Sequence, residues 1–158
     1  PVDVDARRIR RIVSNLVGNA IEHGEGRTIV VSIDSNASAV AISVRDWGIG
    51  MTANDVDHVF DRFWRADPSR KRTLGGTGLG LAIAQEDAAV HGGTVEAWSR
   101  PGEGSNFRLT LPRSEGITTF MSPLPLIPDD VVVEGGDPQA TGGWLRRPFR
   151  RTRREKRR

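Results

Sequence analysis

The stretch TLGGTGLGLAIAQ (73–85) sets glycines at 75, 76, 78 and 80 and then runs directly into apolar residues that are good helix formers. The first N–H groups of a helix are unpaired and carry the positive end of its dipole. A glycine-rich entry therefore lets an anion, phosphate above all, sit against bare backbone. The same glycines would also serve a flexible turn that opens a tightly packed helix. Spacing excludes two common phosphate loops. The dinucleotide fingerprint needs G-x-G-x-x-G directly after a strand, whereas Gly76, Gly78 and Gly80 are spaced by two and follow the charged segment DRFWRADPSRKR. The P-loop needs a lysine after its last glycine, and here Leu81 follows Gly80. A nucleotide site at this place is of another kind.

Upstream, DARRIRRIVSNLVGNAIEH (5–23) repeats Ile9, Ile12, Val13, Leu16, Val17, Ala20 and Ile21 at steps of three and four. This predicts an amphipathic helix with Asp3 or Asp5 as its N-cap. RTIVVSI (27–33) and AVAISVR (39–45) are β-branched runs joined by the turn-prone DSNAS, a hairpin. DWGIG (46–50) is a loop, and Thr52 with Asp55 forms a capping box for a short helix to about Phe60. Residues 61–77 lack periodicity and exceed an ordinary connection of about 4–6 residues. A helix over 78–91 ends at Gly92 as its C′ residue, and TVEAWS and NFRLTL form a second hairpin closed by Pro112. The folded domain is expected over residues 1–113, one ordinary core in a chain of 158 residues. Residues 114–158 hold five of the nine prolines and few periodic apolar positions, and are expected to be a disordered extension whose removal leaves the fold intact.

Zero cysteines exclude a disulfide framework and thiolate metal sites. No apolar run approaches the roughly 20 residues of a membrane span, and the start Pro-Val-Asp reads as a piece cut from something longer. The net charge of +3 conceals a division: WLRRPFRRTRREKRR (144–158) holds nine Lys/Arg against one Glu, +8, which leaves −5 on residues 1–143.

The first helix bears a second stripe. Asn15, Asn19 and then Glu22 or His23 lie at steps of three or four along one face. A single asparagine there most often faces solvent; two, aligned with an acidic loop and a glycine-rich helix entry, carry more. NLVGNAIEH (15–23), DWGIG (46–50), VFDRFWRAD (59–67) and GGTGLGLAIA (75–84) resemble, in order and spacing, the N, G1, F and G2 boxes of sensor histidine kinases. HGGTVEAWSRPGEGSNFRLTLP (91–112) is similar to the closing hairpin of their ATP-binding domain, and the resemblance covers about residues 5–113.

The resemblance implies an α+β fold, a Bergerat-type two-layer α/β sandwich with helices on one face of a mixed, mainly antiparallel sheet. It implies ATP and Mg²⁺ as ligands. Asn19 supplies a hard amide oxygen to Mg²⁺, and Asn15 bonds phosphate or its hydration shell. Asp46 accepts the amino hydrogen of adenine, with a turn-capping role as its alternative. Gly48 and Gly50 let the backbone pass beneath the base. Gly76, Thr77, Gly78, Leu79 and Gly80 cradle the phosphates. His23 is counted with this nucleotide-binding set, a structural role being its alternative. Phe60 and Phe63 anchor the lid. Arg62 and Arg65 act as charge clamps on the phosphates or remain a solvated pair.

ATP hydrolases and serine kinases of the same superfamily place a glutamate one turn before the metal-binding asparagine. Here that position is Asn15, an amide that cannot act as a base. Glu22 departs from the usual basic residue and is left outside the set. The three histidines, His23, His58 and His91, all lie outside an H-[ED]-x-x-[TN]-P setting, so the acceptor lies elsewhere. The implied activity is transfer of the γ-phosphoryl group to a histidine on a separate dimerisation domain of the same kinase, with a response regulator downstream. The alternatives are an ATP-binding module without transfer, or a hydrolase. The implied setting is the cytoplasmic part of a membrane-anchored bacterial protein. The basic run suits anionic lipid and makes no strong case for nucleic acid.

Overall fold

The computed structural model describes residues 2–65, 77–114 and 116–131. Gly75, Gly76, most of the expected lid and the basic run at 144–158 lie outside the described residues. The elements in order are α1 (Ala6–His23), β1 (Ile29–Ser35), β2 (Ala39–Asp46), α2 (Ala53–His58), α3 (Gly80–Val90), β3 (Thr94–Arg100) and β4 (Gly104–Pro112). Asp5 caps α1, its Oδ1 accepting from Arg7 N–H at 2.8 Å. Thr52 and Asp55 form the expected reciprocal capping box on α2. Gly92 follows α3 with φ +67°.

The strands form one sheet in the order β1-β2-β4-β3. All three pairings are antiparallel, so among the described residues the sheet is not mixed. Alternation along β2 and β4 sends Val44, Phe107, Leu109 and Leu111 to the helical face, where they meet Ile12, Leu16 and Ala20 of α1 and Ala84 and Ala88 of α3. Of the apolar stripe on α1, only Ile12, Leu16 and Ala20, four residues apart, are fully buried, and Ile21 is 53% exposed. α3 is locked to α1 by Asp87, a carboxylate 2% exposed. Asp87 accepts from Arg8 at 2.8 Å and from both Nε and NH2 of Arg11 at 2.6 Å.

The other face of the sheet departs from expectation. Residues 116–131, placed in the disordered extension, lie across it as a strap. Asn36 Nδ2 donates to Met121 O at 3.0 Å, Arg108 NH1 to Leu124 O at 2.5 Å and Asn106 Nδ2 to Leu126 O at 2.8 Å. These contacts order the strap from the β1–β2 turn towards the end of β2. Outward residues of the two central strands are buried: Ala39, Ala41, Ser43 and Arg45 on β2, and Asn106 and Thr110 on β4. A segment rich in proline needs no periodic apolar residues to be held when side chains of the sheet donate to its carbonyls.

Two outcomes are expected. Asp87→Asn should lower the free energy of unfolding in urea by about 1.5–3 kcal/mol, the range for hydrogen bonds to a charged group. The Arg11 hydrogen bonds hold the Asp87 carboxyl below its ordinary 3.8. Its stabilisation is therefore complete above that unfolded value, is lost as pH falls through the lower folded one, and is absent in the variant. Ending the chain after Ser114 should destabilise it by on the order of 2–5 kcal/mol, from several strap hydrogen bonds at about 0.5–1.5 kcal/mol each, read as a lower urea midpoint.

Candidate functional site

β2 ends at Asp46, whose side chain turns to the helical face and is 1% exposed. Its Oδ1 accepts the Gly48 N–H at 2.9 Å, while Oδ2 is buried and has no partner among the described residues. Burial pushes the Asp46 carboxyl above its ordinary value, against the opposing pull of the Gly48 and Ser105 N–H groups and of Arg45 and His23. A buried acceptor without a donor is costly. It is also what an N–H on the edge of a flat ring would satisfy.

Three backbone segments meet around this carboxylate with no room between them. A Cβ on Gly48 would overlap the carbonyl of His23 at the end of α1. Gly50 has φ +67°, and a Cβ there would overlap Arg100 O at the end of β3. Ile49 is fixed on both sides, its N–H donating to His23 O at 3.2 Å and its carbonyl accepting from Gly102 at 2.7 Å. Gly24, absent from the sequence-derived set, packs with a would-be Cβ 3.7 Å from Asp46 Cβ. The glycine after a helix is its one signal in the sequence.

The second cluster lies at the other end of the asparagine stripe. Asn15 Nδ2 donates to Gly80 O, in the first residue of α3, at 2.8 Å. That bond uses one of the two amide hydrogens of Asn15 and leaves the second N–H and Oδ1 to meet a phosphate or its hydration shell. Leu79 is the N-cap of α3 and makes no side-chain capping bond, so the first N–H groups of α3 are left without one. Gly78 has its carbonyl on the Phe63 N–H at 2.8 Å, and Thr77 is exposed. Asn19 is half-buried between the clusters. From Asn15 to His23 is eight residues, about 12 Å along the helix axis, so α1 is the rail along which both clusters are mounted.

One expectation changes. Phe60 does pack on the core, edge-on to Phe107 with ring centroids 6.4 Å apart. Phe63 does not anchor through its ring, which is 71% exposed. With φ +66°, it acts through its backbone bond to Gly78. Arg62 pairs with Glu86 on α3, NH2 to Oε1 at 2.5 Å, and both side chains are more than half exposed. Arg65 is half-buried. Among the described residues there is no cluster of three or more His, Cys, Asp or Glu that could hold a metal. An ion here would depend on an amide oxygen, water and its ligand's phosphates, without the one or two carboxylates that usually join the phosphates in holding Mg²⁺.

Residues 4–115 match the family model of the histidine kinase-, DNA gyrase B- and HSP90-like ATPases. The chain belongs to this ATPase family. It is thus an ATP-binding domain of the histidine kinase-, gyrase- and HSP90-like kind, as its four boxes suggest. Among relatives, the sensor histidine kinase MtrB of Mycobacterium tuberculosis is 52% identical over 126 residues, 80% of this chain and 22% of that protein. The sensor histidine kinase WalK of Bacillus subtilis is 45% identical over 117 residues, 72% of this chain and 19% of that protein. The chain spans about a fifth of the length of these relatives. Among solved structures, the mycobacterial sensor histidine kinase MprB superposes with a TM-score of 0.62 at 26% identity, covering 70% of this chain and 76% of that one. Full-length ShkA in complex with AMPPNP superposes with 0.58 at 30% identity, covering 66% and 21%.

In an ATPase-family domain of this kind, the buried acid makes a tension between stability and function measurable. A folded pKa above 3.8 means that the ionised Asp46 disfavours the ligand-free fold. That penalty is fully present above the folded value and disappears as pH falls below the unfolded one. Asp46→Asn should therefore raise the thermal midpoint of the ligand-free chain at pH 7, and the gain should vanish as pH approaches 4.

Proposed function

We propose that this chain binds Mg²⁺–ATP and passes the γ-phosphoryl group to a histidine on a separate dimerisation domain, as the catalytic part of a two-component sensor kinase. The observation that carries the reading is the fully buried, unpaired Oδ2 of Asp46 above a glycine floor. Adenine offers an amino N–H where guanine has a carbonyl, so this acceptor selects adenine. Gly48 and Gly50 let the loop backbone pack tightly as it passes beneath the base, and His23 stands beside it at the end of α1. Thr77, Gly78, Leu79 and Gly80, with Gly76, hold the phosphates at the uncapped start of α3. Arg62 and Arg65 lie close by on the F-box side. Asn19 gives its amide oxygen to Mg²⁺, and Asn15 orients the ion's water. A bound ion there would supply positive charge to offset that of the phosphates.

The division of labour follows from what the helices carry. Asn15 stands where a hydrolase would need a carboxylate base, and an amide takes no proton near neutral pH. A neutral imidazole already has its lone pair for attack, so positioning an acceptor histidine in line is most of what transfer requires. Two of the chain's own histidines, His58 and His91, are engaged elsewhere, and His23 belongs to the nucleotide-binding set. His91 accepts the Asp5 N–H on Nε2 at 3.0 Å, which leaves Nδ1 to donate to Asp87 O at 2.8 Å. His58 lies 2.8 Å from Asp61 and stacks on Trp64. The names of the relatives support the kinase setting, with a response regulator as the onward acceptor. The same setting implies a cytoplasmic place in a membrane-anchored bacterial protein, with the basic run at 144–158 on anionic lipid.

With labelled ATP, the chain alone should acquire no acid-labile phosphate, and adding a dimeric helical hairpin bearing the acceptor histidine should produce it. Asn19→Ala should abolish transfer. Asp46→Asn should weaken ATP binding on the order of tenfold to a hundredfold by calorimetry, equivalent to about 1.5–3 kcal/mol. Brisk turnover by the chain alone, lost on Asn15→Ala, would replace the kinase reading with a hydrolase.

A further inference from the structure

The strap reaches the nucleotide loop at one residue. Asp130 Oδ2 accepts from Arg45 NH2 at 3.1 Å and from Trp47 Nε1 at 2.8 Å. These are the residues on either side of Asp46. Strand alternation sends Asp46 to the helical face and Arg45 to the outer one. The guanidinium then works through the backbone: NH1 donates to Asp46 O at 2.7 Å, and NH2 to Glu103 O in the β3–β4 turn at 2.9 Å. Arg45 is 6% exposed, with its guanidinium carbon 4.7 Å from the Trp47 ring centroid and 5.3 Å from that of Trp98. Asp130 is the carboxylate paired with this buried charge among the described residues.

We propose that Asp130 is a positioning residue for the adenine acceptor: by fixing Arg45 and Trp47 from the outer face, its carboxylate holds the Asp46 carbonyl and the turn to Gly48 in the geometry that aims Oδ2 at the base. The proposal rests on the reading of Asp46 as that acceptor. Without Asp130, Arg45 is a buried cation between two indoles with backbone carbonyls as its remaining partners, and Trp47 loses the acceptor for its indole N–H. Both changes loosen the residues next to Asp46, while the helical face of the sheet keeps its packing. The Arg45 hydrogen bond also draws the Asp130 carboxyl below its ordinary value, so the pair is charged at neutral pH.

The test uses the whole 158-residue chain with Mg²⁺ and ADP as the probe. Asp130→Ala should weaken ADP binding about fivefold to thirtyfold, the factor that a loss of one or two kcal/mol produces. It should also speed hydrogen exchange at the Gly48 amide, with little change at Val44 or Leu109. Asp130→Glu should restore much of both, and Asp129→Ala should alter neither. Unchanged ADP affinity in Asp130→Ala, or a fall in urea midpoint with Gly48 exchange unaltered, would overturn the proposal. Asp46→Asn separates the two readings. If it weakens ADP while Asp130→Ala does not, the positioning role alone is wrong. If Asp46→Asn binds ADP normally, the adenine assignment is wrong and this inference goes with it.

Discussion

Backbone pressed directly on backbone, where α1 ends, β2 ends and β3 turns into β4, is the constraint from which the rest of the site follows. Gly48 lies against His23 O, Gly50 against Arg100 O and Gly104 against Asp46 O, each without space for a Cβ. Because the three segments cannot separate without losing this contact, the carboxylate between them stays dry. A dry carboxylate with one oxygen unpaired costs stability until a donor reaches it. The same contact sets the position of α1, and with it Asn15, which reaches Gly80 at the start of α3.

The second constraint is that the central strands are buried on both faces. Antiparallel sheets commonly leave one face in water. Here β2 and β4 have helices on one side and residues 116–131 on the other, so the outward positions accept small residues or ones that bond the strap. Ala39, Ala41 and Ser43 make room for it, and Asn106 and Arg108 donate to its carbonyls. The domain has a third, irregular layer, and this layer touches the residues that flank Asp46.

Much of this was legible in the sequence. The N-cap at Asp5, the capping box at Thr52, the hairpins and Gly92 after α3 all follow from local chemistry that acts over a few residues. The ordered boxes indicated the family before any geometry. The strap was not legible, because its hold on the sheet is neither periodic nor apolar. It is held by carbonyls, which every residue has, and by one aspartate that resembles any other in a polar segment. A signal was nevertheless present: a strand whose alternate positions are Ala39, Ala41 and Ser43 is ill suited to face water and well suited to lie under another chain segment. Phe63 was misread for a related reason, since an aromatic residue in a loop suggests burial of its ring, whereas φ +66° turns the ring outward and leaves the backbone to make the contact. Arg62 has both a phosphate clamp and a solvated pair open to it in the sequence, and its exposed partner Glu86 lies 24 residues on, beyond the reach of local pattern.

The tie between the first residues of α1 and the last turn of α3 consists of two different joints. One is a pin: a single lone pair on His91 Nε2 receives the Asp5 N–H at 3.0 Å. The other is a clamp: Asp87 grips Arg8 and Arg11 through three charged hydrogen bonds and keeps its charge to lower pH than an ordinary aspartate. Losing the pin would free only Asp5, the residue before α1, because the clamp grips the helix within its first two turns, ahead of the face on which Asn15 meets Gly80.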